Sequence, residues 1–389
     1  MRSRALVATS VGVMAVALCA CAESVPEVAG DPGSPLPGLS AEGLARFEQG
    51  KALFEHGWKP EEGLGPTYVQ DRCASCHDIP SSGGSSPEGL QKFSLGCDPL
   101  AVHGGDILQL QRSPLLIELG GAAESFPSEA DLRPMLVPSM LYGLGLIEAI
   151  PEEEILSRED PDDLDGDGIS GRVGRTPDGR LARLGRKAAV ASILELVDAA
   201  LITEIGITTP TYPEEETING VPVPPGSDPV ADPEVDEETV ALIADFVRFL
   251  VPIAQEVPAT EAGRDTLEWG ELLFEEIGCG SCHVRTLTTG PNTEPALDRK
   301  AVRLYSDLLL HDMGTQMADL CGPTALPSEL RTDKLIGLRY RSSFLHDGRA
   351  SGITQAIMFH GGESAASRDA FNALGPEARG YLIRFLTSL

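Results

Sequence analysis

A mainly α-helical chain built from two similar halves in tandem, the first enlarged by insertions, is what this sequence predicts. Three observations predict it. The string Cys73-Ala74-Ser75-Cys76-His77 recurs as Cys279-Gly280-Ser281-Cys282-His283. The stretch Phe47-Glu48-Gln49-Gly50-Lys51-Ala52-Leu53-Phe54-Glu55 lines up with Leu267-Glu268-Trp269-Gly270-Glu271-Leu272-Leu273-Phe274-Glu275, sharing Gly, Leu, Phe and Glu in register as each runs toward its cysteine string. A second amphipathic stretch closes each half: Glu238 to Pro252 with Leu242, Phe246, Phe249 and Leu250 on one face, and Glu377 to Leu389 with Leu382, Phe385, Leu386 and Leu389.

A Cys-x-x-Cys-His string is the attachment signal for c-type haem. Two thiols add across the porphyrin vinyl groups and the following imidazole goes to the iron. Two intervening residues make one turn, which points both sulfurs at one edge of the macrocycle and sets the histidine beneath its centre. A structural zinc site needs four ligands close together, and neither string has a second Cys or His pair nearby. Two covalently bound haems follow, with Cys73, Cys76 and His77 holding one and Cys279, Cys282 and His283 the other. In a cytochrome c domain an N-terminal and a C-terminal helix cross beside the haem, and both halves carry that bracket. Aromatic residues make up only 5% of the chain, a shortage that a large apolar cofactor in the core would offset.

Taken in order, residues 1–21 read as an export segment, with Arg2 and Arg4 ahead of the apolar run Ala5 to Leu18. Its end, Leu18-Cys19-Ala20-Cys21, resembles a bacterial lipobox that would leave Cys21 as a lipidated first residue; ordinary cleavage near Ala20 is the alternative. Either way the expected address is the periplasm or an outer-membrane anchor. Residues 22–39, rich in Pro, Gly and acid, read as a flexible tether. Residues 40–255 form the first haem domain, opened by a helix that Ser40 caps. An acidic loop, a helix from about Arg186 to Ile205 and a Pro-rich acidic loop from Thr208 to Glu237 enlarge it. Residues 256–389 form the second domain. Pro138 to Leu146 in the first half echoes Thr332 to Tyr340 in the second.

The formal charge of −29 disfavours nucleic acid and anionic lipid surfaces. A basic redox protein such as a small cytochrome, or an amine-bearing small molecule, suits it better. Export permits disulfides, and with the haem cysteines, Cys19 and Cys21 set aside, Cys97 and Cys321 are left to pair or to stay free.

Several longer strings resemble the di-haem oxidoreductase family, also labelled thiol oxidoreductase, which is related to di-haem cytochrome c peroxidases and to the haem enzyme that matures methylamine dehydrogenase. They are Gly63-Leu64-Gly65-Pro66, Gly143-Leu144-Gly145-Leu146-Ile147-Glu148-Ala149-Ile150-Pro151, Asp165-Gly166-Asp167-Gly168-Ile169-Ser170-Gly171-Arg172, Leu310-His311-Asp312-Met313-Gly314 and Phe344-Leu345-His346-Asp347-Gly348-Arg349-Ala350. The likeness runs from about residue 40 to the end. One departure stands out: where the family leads one to expect Phe-Gly-Trp-Lys-Ala, this chain has Leu184-Gly185-Arg186-Lys187-Ala188. An electron relay through that Trp is therefore in doubt here.

The resemblance implies the sixth ligand of the second iron. In the related peroxidases a His-Asp-Gly string is followed, about fourteen residues on, by the distal Met or Tyr, and from His346 that count lands here on a histidine, His360. His360 is the expected ligand, with Met358 and Met313 as alternatives. His346 reads as a hydrogen-bonding residue at a haem propionate or the backbone, and His311 as a buried loop-orienting residue or a ligand. No residue after His77, neither His103, Met135 nor Met140, matches a ligand motif of the family, so the first iron is expected to keep an open or exchangeable site. Glu148 and His103 are candidates for moving a proton between peroxide oxygens there. Asp163, Asp165 and Asp167, followed by Gly168 and Ile169, match the first half of a calcium loop; Gly174 stands where the closing Glu of an EF-hand would be.

The expected function is a peroxidase-like oxidoreductase, with peroxide or another small oxidant reacting at the first haem and electrons arriving through the second. The alternative is a pure electron-transfer cytochrome with both irons six-coordinate. Thiol oxidation is disfavoured, because no Cys-x-x-Cys remains outside the haem strings.

Overall fold

The computed structural model describes residues 27–389; the export segment, Cys21 and residues 22–26 lie outside the described residues. Among these are ten α-helices: α1 Ala41–Glu55, α2 Pro114–Glu118, α3 Leu144–Glu148, α4 Glu152–Leu156, α5 Ile193–Ala200, α6 Glu237–Phe249, α7 Glu261–Glu276, α8 Ile353–Met358, α9 Ala365–Ala373 and α10 Pro376–Ser388. Paired strands are confined to five antiparallel ladders of two or three residues. The frame is helical, as expected.

Three of the four long helices, α1, α6 and α7, start at side-chain caps, while α10 starts at Gly375 followed by Pro376. Ser40 Oγ accepts the Gly43 amide at 2.9 Å, Asp236 Oδ1 that of Thr239 at 2.9 Å and Thr260 Oγ1 that of Gly263 at 3.2 Å. In α1 the buried positions Gly43, Phe47, Gly50 and Phe54 form one stripe. That stripe meets α6, and α7 meets α10 in the same way. At the first crossing Gly50 lies on the Leu242 carbonyl, at the second Gly270 lies on the Tyr381 carbonyl, and a methyl group at either would overlap that oxygen. Next to each glycine a ring pair closes the contact, Phe54 with Phe246 at 4.8 Å and Phe274 with Phe385 at 5.6 Å between centroids.

The two halves are packed together. Leu287, Leu297, Val302, Leu304 and Leu309 belong to the core that contains Phe47, Phe54 and Phe246. A second core gathers Phe274, Tyr305, Phe344, Phe371 and Phe385. Cys97 and Cys321 form a disulfide, Cα atoms 5.2 Å apart, across a separation of 224 residues.

Two expectations are corrected. The described part of the presumed tether is docked: Gly30 N donates to Pro252 O at 2.9 Å, Leu36 N to Phe249 O at 2.8 Å and Val251 N to Ser34 O at 3.1 Å, with Val28 and Leu36 buried. A Pro- and Gly-rich strand without periodicity can still bury single side chains and pair its amides with a neighbouring segment. The helix expected from Arg186 begins instead at Ile193, where Ser192 Oγ accepts the Glu195 amide. Residues 185–188 form a turn that places Lys187 on the Pro327 carbonyl of the second half and Arg186 in the wall of the cavity described below. Residues 208–236 contain no helix, as expected. Among the described residues no helix is long and apolar enough to cross a membrane.

Candidate haem sites

Each cysteine string begins as a single 3-10 turn, Cys73–Ser75 and Cys279–Ser281, with His77 N and His283 N donating back to the carbonyls of Cys73 and Cys279 at 3.1 and 2.9 Å. All four cysteines are half-buried and outside any disulfide. His77 Nδ1 lies 2.9 Å from Gly84 O, and His283 Nδ1 lies 2.8 Å from Tyr305 O. A carbonyl only accepts, so each Nδ1 carries the proton and each Nε2 keeps its lone pair. This is the tautomer a metal needs. Burial lowers both imidazole pKa values, that of His283 to about 4, so both rings are neutral at pH 7. Phe54 stands 6.3 Å from the His77 ring and Phe274 6.3 Å from the His283 ring, centroid to centroid. The duplication extends to the packing behind the ligand.

Beside His283 is a cavity of about 230 Å³ whose wall includes Cys279, Cys282, Met313 and His360. His360 follows α8 and donates Nδ1–H to Ala356 O at 2.9 Å, leaving its Nε2 lone pair free. Burial lowers its pKa, and it is close enough to His283 to depress that residue's pKa in turn. Met358 is 41% exposed and outside the wall. Met313 lines the wall, its Sδ 3.9 Å from Ser364 Oγ. His311 is fully occupied: Nε2 meets Asp307 Oδ2 and Nδ1 meets Glu363 Oε2, both at 2.9 Å. Burial opposes its charge, yet these two carboxylates, with Cys282 adjoining, push it up to about 12. Both ring nitrogens are thus engaged, and His311 stands as an imidazolium clamp between Asp307 and Glu363. His346 is buried in the wall, Nε2 2.9 Å from Asp319 Oδ2, in an orientation that completes no hydrogen bond.

The other side of the cavity is cationic, which sequence reading missed. Arg186, Arg331, Lys334 and Arg341 surround Asp333 on the wall. Asp333 receives Arg331 at 3.4 Å and Arg341 at 3.2 Å. Burial would raise its pKa, but Arg341, Lys334 and Arg331 hold it well below the carboxylate range. The one available signal was Arg186 standing where the family pattern has Trp.

In the first half, the proton-moving candidates are engaged elsewhere. Glu148 Oε1 accepts the Ile193 amide at 2.7 Å and Oε2 accepts Arg248 Nε at 2.8 Å, so this carboxylate fastens α3 to α5 and α6. His103 pairs with Glu129 at 2.8 Å and His56 with Glu62 at 3.2 Å. Glu204 was not foreseen. It sits on a π-helical turn, Leu201–Ile205, that prolongs α5, and its main-chain carbonyl accepts the Val69 amide at 2.7 Å, four residues before Cys73. Its carboxyl lies in the field of Cys73 and Cys76, and burial raises it to about 7 against the opposing charge of Lys92. No periodicity marks such a residue; only the docking of this turn beside the haem string does.

In the acidic loop Asp163 and Asp165 gather with Asp160, ligand oxygens within 4.8 Å of one another. Asp167 is not in that group, and its carboxylate accepts the Ile169 amide at 2.8 Å.

A family model described as "Di-haem oxidoreductase, putative peroxidase" matches residues 133–389. The chain belongs to this di-haem oxidoreductase family. Membership implies two haems and haem-based redox activity, and the neutral imidazoles with free Nε2 fit such a group. The matched stretch holds the whole cavity beside His283, the cavity of the second half, while the Cys73–His77 string lies ahead of it. No curated protein matches the chain. Among solved structures, this di-haem oxidoreductase is similar to hydrazine synthase of Kuenenia stuttgartiensis (14% identity, 100% of both chains, TM-score 0.43). It is also similar to a MauG-like protein associated with microbial copper homeostasis (14%, 94% of both chains, 0.41). A third is the diheme peroxidase BthA of Burkholderia thailandensis E264 (15%, 94% of this chain and 90% of that one, 0.43).

Proposed function

We propose that this chain is an exported di-haem c-type cytochrome acting as a peroxidase-like oxidoreductase, with two cytochrome c-type domains in tandem. One contrast carries the reading. The second cavity holds two neutral imidazoles, His283 and His360, each with its Nδ1 proton on a backbone carbonyl. In the first half, the described histidines other than His77 are paired with Glu62 and Glu129. His283 and His360 would hold the second iron from both sides, which suits electron transfer, and His77 would hold the first iron with a position left for an oxidant.

The four string cysteines would carry the covalent links. When bound, the haems supply one-electron couples and, at an open iron position, a place for peroxide oxygen. Glu204, titrating near neutrality beside Cys73 and Cys76, is the carboxyl suited to take a proton from one oxygen and return it to the other. This replaces Glu148 and His103 in that role. The Cys97–Cys321 bridge accords with an oxidising compartment, and the N-terminal residues with export as a lipoprotein or a cleaved periplasmic protein. The acidic surface suits a basic redox partner. Asp160, Asp163 and Asp165 are the oxygens to which calcium would bind; calorimetry that finds no calcium uptake removes that assignment.

Electron spin resonance and absorption of the ferric protein test the main reading. One low-spin iron together with one high-spin, cyanide-binding iron is expected. Two low-spin six-coordinate irons in both oxidation states would overturn it in favour of a pure electron carrier.

A further inference from the structure

Arg186, Arg331 and Lys334 are held mostly by backbone carbonyls. Lys334 Nζ donates to Met140 O at 2.6 Å, Arg331 Nε to Gly185 O at 2.8 Å and the Arg186 guanidinium to Val137 O. Lys334 is 3% exposed, the side chains of Arg331 and Arg341 are 7% and 11% exposed, and Arg341 Nε is buried with no partner. Four cations stand against one carboxylate, Asp333; the neighbouring Lys187 is balanced by Asp319 at 3.1 Å. A buried surplus of like charge is strongly unfavourable unless an anion meets it.

The carbonyls that hold Lys334 and Arg186 belong to residues 137–141, and this strap reaches the first site. Leu141 N donates to Gly83 O at 2.8 Å and Ser85 Oγ to Pro138 O at 2.7 Å. Between Gly83 and Ser85 lies Gly84, the acceptor of His77 Nδ1. Val137 N in turn donates to His346 O at 3.0 Å, in the wall of the second cavity. One strap therefore touches the loop that orients His77 and two cations of the second cavity.

We propose that Arg186, Arg331, Lys334 and Arg341 form a haem-carboxylate site, and that Arg186 and Lys334, held by the carbonyls of the shared strap, set the reduction equilibria of both irons. This rests on the reading that both cysteine strings carry haem. A cation near an iron disfavours its ferric, more positive state, and removing the cation shifts the couple toward oxidation. Where the family pattern has an aromatic residue, this chain has a fixed positive charge.

The test is spectroscopic redox titration of the haem-loaded protein, with haem counted by pyridine haemochrome. Arg186→Gln and Lys334→Met are expected to keep both covalent haems and to lower both midpoints. The expected change is about tenfold in each reduction equilibrium, ~59 mV for a one-electron couple. Arg341→Gln should lower the second midpoint alone, and Arg186→Lys, which keeps the charge, should leave both in place. Unchanged midpoints in Arg186→Gln and Lys334→Met overturn the site. A change confined to the second haem overturns the sharing. Wild-type protein without two haems sinks the underlying reading instead, before any variant is compared.

Discussion

His283 and His360 line one cavity, and each gives its Nδ1 proton to a main-chain carbonyl, that of Tyr305 and that of Ala356. Both Nε2 atoms are thereby fixed as acceptors. His360→Ala should convert the second iron to high spin and open it to cyanide, whereas Met358→Ala, at an exposed position, should leave the spectrum unchanged. A low-spin second iron in the His360→Ala protein would move the ligand to another residue of the wall, Met313, Met317 or His346.

Buried carboxyl groups make this protein weaken as the medium turns alkaline. Burial raises Glu204 to about 7, Glu215 to about 9, Glu216 to about 8 and Glu234 to about 8; neighbouring acids, Glu234 for Glu215 and Glu124 for Glu216, add to it. A carboxyl raised on folding binds more protons folded than unfolded between its ordinary value near ~4.3 and its raised value. Stability therefore falls as pH rises across that window. Urea midpoints should drop steadily from pH 5 to pH 8, and Glu215→Gln with Glu234→Gln should flatten the slope. A flat or rising wild-type profile is the contrary result.

The two helix crossings admit no side chain at Gly50 or Gly270. Alanine at either should destabilise by about 1–3 kcal/mol despite its better helix propensity, because Leu242 O and Tyr381 O are backbone and cannot swing aside. Denaturant unfolding measures this. Alanine at Gly380 in α10, where nothing lies within 4 Å, serves as the control and should be neutral or slightly stabilising.

The Cys97–Cys321 bridge closes a separation of 224 residues. Replacing both cysteines by Ser should lower stability by about 2–5 kcal/mol, largely by freeing the unfolded chain. Mass spectrometry of wild-type protein that finds two free thiols at these positions would rule the bridge out.

What the sequence disclosed was local or repeated. The Cys-x-x-Cys-His strings, the paired helices with their Gly and Phe, and His360 fourteen positions after His346 are written within single stretches of chain. What it hid depends on distant partners. Glu148 looks like a candidate acid until Ile193 and Arg248 are seen to occupy it. The convergence of Arg186 with Arg331, Lys334 and Arg341 joins residues some 150 positions apart, and residues 27–39 show no pattern that would announce burial.

That docked N-terminal segment rests on partners that are made much later than it is. Its partners, Phe249 to Ala254 and Ala301, leave the ribosome more than two hundred residues later. A chain stopped at residue 248 should leave Glu27 to Leu39 open to protease, while one extended past residue 301 should shield it. The first part of the described chain to be made therefore cannot dock until segments from much later in the chain are present.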